Sequence, residues 1–209
     1  MRDLCRGVLG PPVGLTDWTL TMDALMAALV AALVVEATDR TPWLIAILAD
    51  RFEKRATVIL AALFALAAGF TLVAIGGALI GERLIPEARQ LFLAVALLNA
   101  GITAFFPIRT PDRLTGWRVG AAATSFCGVF ILAFGGRTQF IVMALAERGT
   151  EPVLAAIGAT LGAVPVVMLA ALSGEAARRA FPIAALRIAS GVVLTVVGVV
   201  LALGALRLI

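Results

Sequence analysis

The residues of this chain that could do chemistry gather in one short stretch. Glu36, Thr38, Asp39, Arg40 and Thr41 lie within a run from Ala24 to Ala49 whose other members are all apolar or proline. A run of that length can cross a bilayer, for which about 20 residues suffice. An ionisable side chain at mid-membrane costs about 2.5–3.5 kcal/mol even on lenient insertion scales, so it marks a functional site by default. Glu36 and Asp39 stand at positions i and i+3, which puts both carboxylates on one helix face. Thr38 and Thr41 repeat that spacing with hydroxyl oxygens, and Pro42 weakens the backbone ladder just beyond. An oxygen-rich, partly opened helix at that depth suits a hard cation. The competing reading is an intramembrane salt bridge, Glu36 or Asp39 with Arg40, that only fixes helix packing.

The elements that must hold this stretch follow from composition. Of 209 residues 62% are hydrophobic, and the mean hydropathy is +1.06, values of a polytopic membrane protein. Six transmembrane helices are expected, over about 23–50, 56–80, 89–108, 118–147, 153–173 and 187–206. All connections are short and leave no room for an extramembrane catalytic domain. Residues 1–21 hold Pro11, Pro12 and several glycines and no signal-peptide run, so a disordered tail is expected there. Met22 directly precedes the first span and offers a second start. The net charge of +4 and pI near 10.4 would suggest nucleic acid in a soluble chain. Here the arginines cluster between spans, so they are topology signals and no nucleic-acid partner is expected. Loops after spans one, three and five carry nine Lys and Arg, against six on the other side. That places the odd loops in the cytoplasm and both termini outside it, in a multi-pass protein of the cell's inner (plasma) membrane.

Several chemistries are excluded. There is no histidine, and Cys5 and Cys127 stand alone, so no imidazole or thiolate metal site is available. No nucleophile–base constellation is present, and two carboxylates are too few for a metal-dependent hydrolase. The chain is therefore not expected to be an enzyme, and no resident cofactor is expected. The other eleven acids are expected in the tail, the loops and the water-facing ends of spans.

Sliding the chain against itself by 97 residues brings Arg40-Thr41 onto Arg137-Thr138 without gaps. In the same frame Leu48-Ala49-Asp50-Arg51 falls on Leu145-Ala146-Glu147-Arg148, Gly77 on Gly174 and Gly101 on Gly198. Each half then holds three spans, and an odd number turns the halves over with respect to one another. The division is a first three-helix repeat over 22–108, a cytoplasmic linker loop over 109–117 and a second three-helix repeat over 118–209. This is the inverted-repeat plan of secondary transporters, whose site lies where two broken helices meet. The frame predicts Thr138 and Gln139 in the same cavity as Thr41, and Arg137 opposite Glu36.

Arg137-Thr138-Gln139, followed by Ala144-Leu145-Ala146 and Gly158-Ala159-Thr160-Leu161-Gly162, resembles the second half of the transmembrane protein 165 / Gdt family. Its members carry E-x-G-D-[KR]-[ST] once in each half. The resemblance covers about residues 22–207 and implies a six-helix exchanger of Mn²⁺ or Ca²⁺ for protons, with four motif carboxylates at the cation site. Glu36, Asp39, Arg40 and Thr41 match the first motif, with Thr38 in place of its glycine. The second motif keeps Gly135, Arg137 and Thr138, but Ala133 and Gly136 stand where its acids are expected. Counting Glu36 and Asp39 against Arg40 and Arg137 leaves a neutral core, to which a bare divalent ion would add two charges. The resemblance thus implies a divalent cation/proton exchanger with Glu36 and Asp39 as cation ligands, and Thr38, Thr41, Thr138 and Gln139 are expected to add neutral oxygen ligands. Its partners are the cation, protons and the lipid bilayer, with a homodimer left open. The alternative is a non-transporting or altered-specificity relative in which Glu36, Asp39, Arg40 and Arg137 form a closed ion-pair network.

Overall fold

The computed structural model describes residues 15–107, 110–117, 119–148, 151–180 and 183–206, the side chains of 15–21 and 176–180 excepted. Among these the chain is all helical, with no strand: α1 (Leu15–Ala37), α2 (Thr41–Phe52), α3 (Arg55–Gly81), α4 (Pro86–Ala104), α5 (Ala121–Ala133), α6 (Arg137–Ala146), α7 (Pro152–Ala180) and α8 (Ile183–Ala205). Three helices are long and apolar enough to cross a membrane: α3, α7 over Pro152–Glu175, and α8. The pair α5–α6, bent by 71° at its break, passes the same test as a fourth.

Two expected spans are broken in the middle. The first splits into α1 and α2 at Thr38–Arg40, where short polar side chains compete for the backbone and Pro42 can begin a helix but not continue one. The second splits into α5 and α6 at Phe134–Gly136. There Gly135 has φ +74°, a value that a residue with a Cβ adopts at a cost. Helix α1 begins at Leu15, inside the stretch expected to be tail, because no glycine or proline follows Gly14 until Pro42. The rest of that tail lies outside the described residues. So do Arg109, Arg118 and Arg207 of the topology count, and the side chains of Arg178 and Arg179.

Helix α7 is the spine: α1, α2 and α3 all pack on it, while α3 also carries α5 and α6, and α4 pairs with α8. Lipid gives apolar helices no hydrophobic reason to associate, so close backbone approach has to supply the contact. Gly158 and Gly162 of α7 lie directly against the Leu25 and Leu29 carbonyls of α1. Gly77 and Gly81 of α3 do the same against the main chain of Met143 and Glu147 at the end of α6. Gly76 has open space beside it, and nothing in the packing explains it. Phe64, Leu79, Leu169 and Val193 point outward, as a bilayer solvent allows.

One end of the bundle is tied by polar contacts. The Arg51 guanidinium donates to the carbonyls of Arg113, Leu114, Thr115 and Trp117, and Arg113 pairs with Glu175 at 2.9 Å. Asp50 accepts the Glu175 N–H at 2.7 Å beside Gly174, where α7 is kinked at φ +72°, ψ 179°. These bonds join α2, the 110–117 loop and α7.

Candidate functional site

The two breaks meet at the centre of the bundle and bring the sequence-predicted residues together. Glu36, in the last turn of α1, is 2% exposed. Its Oε2 accepts the Thr138 hydroxyl at 2.8 Å, across 102 residues of chain, and the Thr41 hydroxyl faces the same carboxylate. Its Oε1 has no hydrogen-bond partner among the described residues. A buried carboxylate without its full set of donors is costly unless a cation or proton is supplied to it.

Asp39 sits in the first break. Its Oδ1 accepts the Arg40 N–H at 2.8 Å and pairs with Arg137 at 3.3 Å. Arg137 also donates to the Thr38 carbonyl at 2.9 Å, an acceptor left without a helical partner by the break. It therefore engages Asp39 and not Glu36, to which it is a neighbouring charge. The Thr38 hydroxyl donates to the Val35 carbonyl at 3.0 Å and closes the end of α1. Helices α2 and α6 both start here, so two positive dipole ends lie beside the acids.

Gln139 is buried at 2% exposure but is directed elsewhere. Its Oε1 accepts the Gly135 N–H at 2.9 Å, and its amide nitrogen lies where a Cβ on Gly69 of α3 would be 2.5 Å away. It braces the second break and makes no hydrogen bond to Glu36. Arg40 is exposed and forms no ion pair among the described residues, so the closed four-residue network does not form. The reason is geometric: Arg40, the residue just before α2, is exposed and lines a cavity of about 430 Å³ instead. Asp39, Arg137, Asn99, Thr103 and Gly136 line that cavity with it.

Glu147 was expected at a water-facing end, yet it is 3% exposed, with neither carboxylate oxygen partnered among the described residues. Burial against Gly81 of α3 decides this, and hydropathy along one helix carries no trace of it. Among the described residues no group of three or more His, Cys, Asp or Glu could hold a metal. An ion at the centre would rely on Glu36, Asp39, hydroxyls, carbonyls and water.

A helical, multi-pass membrane protein with one buried and one half-buried carboxylate at the junction of two broken helices belongs to the cation transporters, not to the enzymes. The sequence profile of GDT1, described as a divalent cation/proton antiporter, matches residues 24–112 and again 121–208, and the chain belongs to this family. A curated protein of Vibrio cholerae serotype O1, printed as "Putative manganese exporter", is 29% identical over 164 residues, covering 74% of this chain and 80% of that protein. No solved structure matches the chain.

Proposed function

We propose that the protein exchanges a divalent cation, Mn²⁺ or Ca²⁺, for protons, with Glu36 and Asp39 as the carboxylates that take either. The observation that carries this is the Glu36 carboxylate, buried at the junction of both halves and held by hydroxyls without a cation partner. Thr41 and Thr138 offer neutral oxygens, the Thr38 carbonyl a third, and Gln139 holds the break that presents Thr138. Oxygen donors of this kind suit Mn²⁺ and Ca²⁺ alike. The printed name of the Vibrio relative favours Mn²⁺.

The frame around the site is six spans in two inverted three-helix repeats, 22–108 and 118–209, joined by the 109–117 loop. Supporting this, the two profile matches begin at residues 24 and 121, the same offset of 97 that aligns Arg40-Thr41 with Arg137-Thr138. The packing also exchanges under that offset: α1 lies on α7 as α5 lies on α3, and α1 lies on α6 as α5 lies on α2. The excess of Lys and Arg puts the odd loops in the cytoplasm and both termini outside the inner membrane.

The test is Mn²⁺ and Ca²⁺ flux in proteoliposomes under an imposed pH gradient. Glu36→Gln and Asp39→Asn keep shape and remove charge, and each should abolish exchange. Exchange at parental rate in both variants would place the carboxylate site elsewhere.

A further inference from the structure

Resting on the cation reading of Glu36 and Asp39, we propose that Arg137 is a tethered competitor of the transported ion. Its guanidinium occupies Asp39 and the Thr38 carbonyl, and it must withdraw into the adjacent cavity before a cation can bind there. A carboxylate and a main-chain carbonyl freed by a helix break are the oxygens a hard cation takes, and Arg137 covers both, at 3.3 and 2.9 Å. Glu36, the other acid at the centre, already accepts from Thr138, and the second half supplies no acid at Ala133 or Gly136 to receive the guanidinium. Gly136 of the second half stands beside Asp39 without a side chain, and an added Cβ there would lie 3.7 Å from Asp39 Oδ2. The open space beside Arg137 is the cavity of about 430 Å³ that it already lines together with Arg40, Asn99 and Thr103. Its side chain is 11% exposed at that boundary, so the flexible stem needs only to turn.

Charge decides what can displace it. With Arg40 exposed at the cavity, the inner groups are Glu36, Asp39 and Arg137, a net charge of −1. A divalent ion added to all three leaves +1 in a poorly solvated centre, whereas a divalent ion that expels Arg137 leaves a neutral site. At Asp39 a monovalent ion only replaces the guanidinium charge for charge and leaves the net at −1, so there it gains no such advantage over a competitor held at the site by its own backbone. Arg137 thus selects for divalent over monovalent cations, at the expense of absolute affinity.

The test is Mn²⁺ binding by detergent-purified protein, read as loss of the free-ion electron paramagnetic resonance signal, with and without excess Na⁺. Arg137→Gln should bind Mn²⁺ about tenfold tighter than the parent or better, and its binding should become sensitive to Na⁺. Arg137→Lys keeps the charge but loses the fork that spans both oxygens, and should fall between the two. If Arg137→Gln does not fold, the order of parent and Arg137→Lys decides, and Lys binding no tighter than the parent overturns the proposal. Arg137→Gln binding no tighter than the parent, while Glu36→Gln still abolishes binding, would overturn the competitor and leave the cation site standing. Mn²⁺ bound by neither parent nor Arg137→Gln would overturn both.

Discussion

Thr138→Val removes one hydroxyl and nearly nothing else, and it interrogates the contact that joins the two halves at Glu36. The Thr138 hydroxyl donates to Glu36 Oε2 at 2.8 Å, and both residues are 2% exposed, so water cannot replace the lost donor. A hydrogen bond to a charged group contributes about 1.5–3 kcal/mol, and valine keeps the volume, so packing adds little. For a chain of this size each kcal/mol moves the melting temperature by about 2–4 °C, which gives a fall of roughly 3–12 °C. Thr138→Ser, which restores the donor, should recover most of it. In a Glu36→Gln background the bond is neutral, and Thr138→Val should then cost only about 0.5–1.5 kcal/mol. Thermal unfolding of the four proteins in one detergent supplies the cycle. A Thr138→Val protein as stable as the parent, or a penalty undiminished by Glu36→Gln, would refute a charged Glu36 held by Thr138.

Three further outcomes are expected. Gly69→Ala sets a methyl 2.5 Å from the Gln139 amide nitrogen, the far end of a side chain that can turn, and should slow exchange at a cost of only about 1 kcal/mol without touching an acid, as flux and unfolding together would register. Gly174→Ala forces a Cβ into a φ +72°, ψ 179° conformation that is essentially glycine's own and against Asp50, and should destabilise by about 1–3 kcal/mol in a denaturation curve. Ala133→Glu with Gly136→Asp adds two acids at the second break, the one at Gly136 beside Asp39. That double variant should melt below the parent without metal and gain more from Mn²⁺ than the parent does, as melting curves with and without the ion would record.

Much of this protein is legible from residues near one another in the chain. Hydropathy determines that the chain is helical and belongs in a bilayer. The polar stretch before Pro42 marks where the first helix opens, because backbone conformation depends on a residue and its immediate neighbours. The 97-residue frame likewise puts Thr138 with Thr41, since it compares like positions in two similar halves. Tertiary structure alone decided which atoms meet. Arg137 takes Asp39 and the Thr38 carbonyl and leaves Glu36 to the hydroxyls, while Arg40 turns to the cavity. Gln139 gives its amide oxygen to the Gly135 N–H and packs its amide nitrogen against Gly69, and Glu147 is covered where α6 ends against α3. Each of these contacts depends on how far one helix is rotated and shifted against another. That is set by small residues touching across lipid-free seams, and a one-dimensional pattern of apolar and polar residues does not encode it.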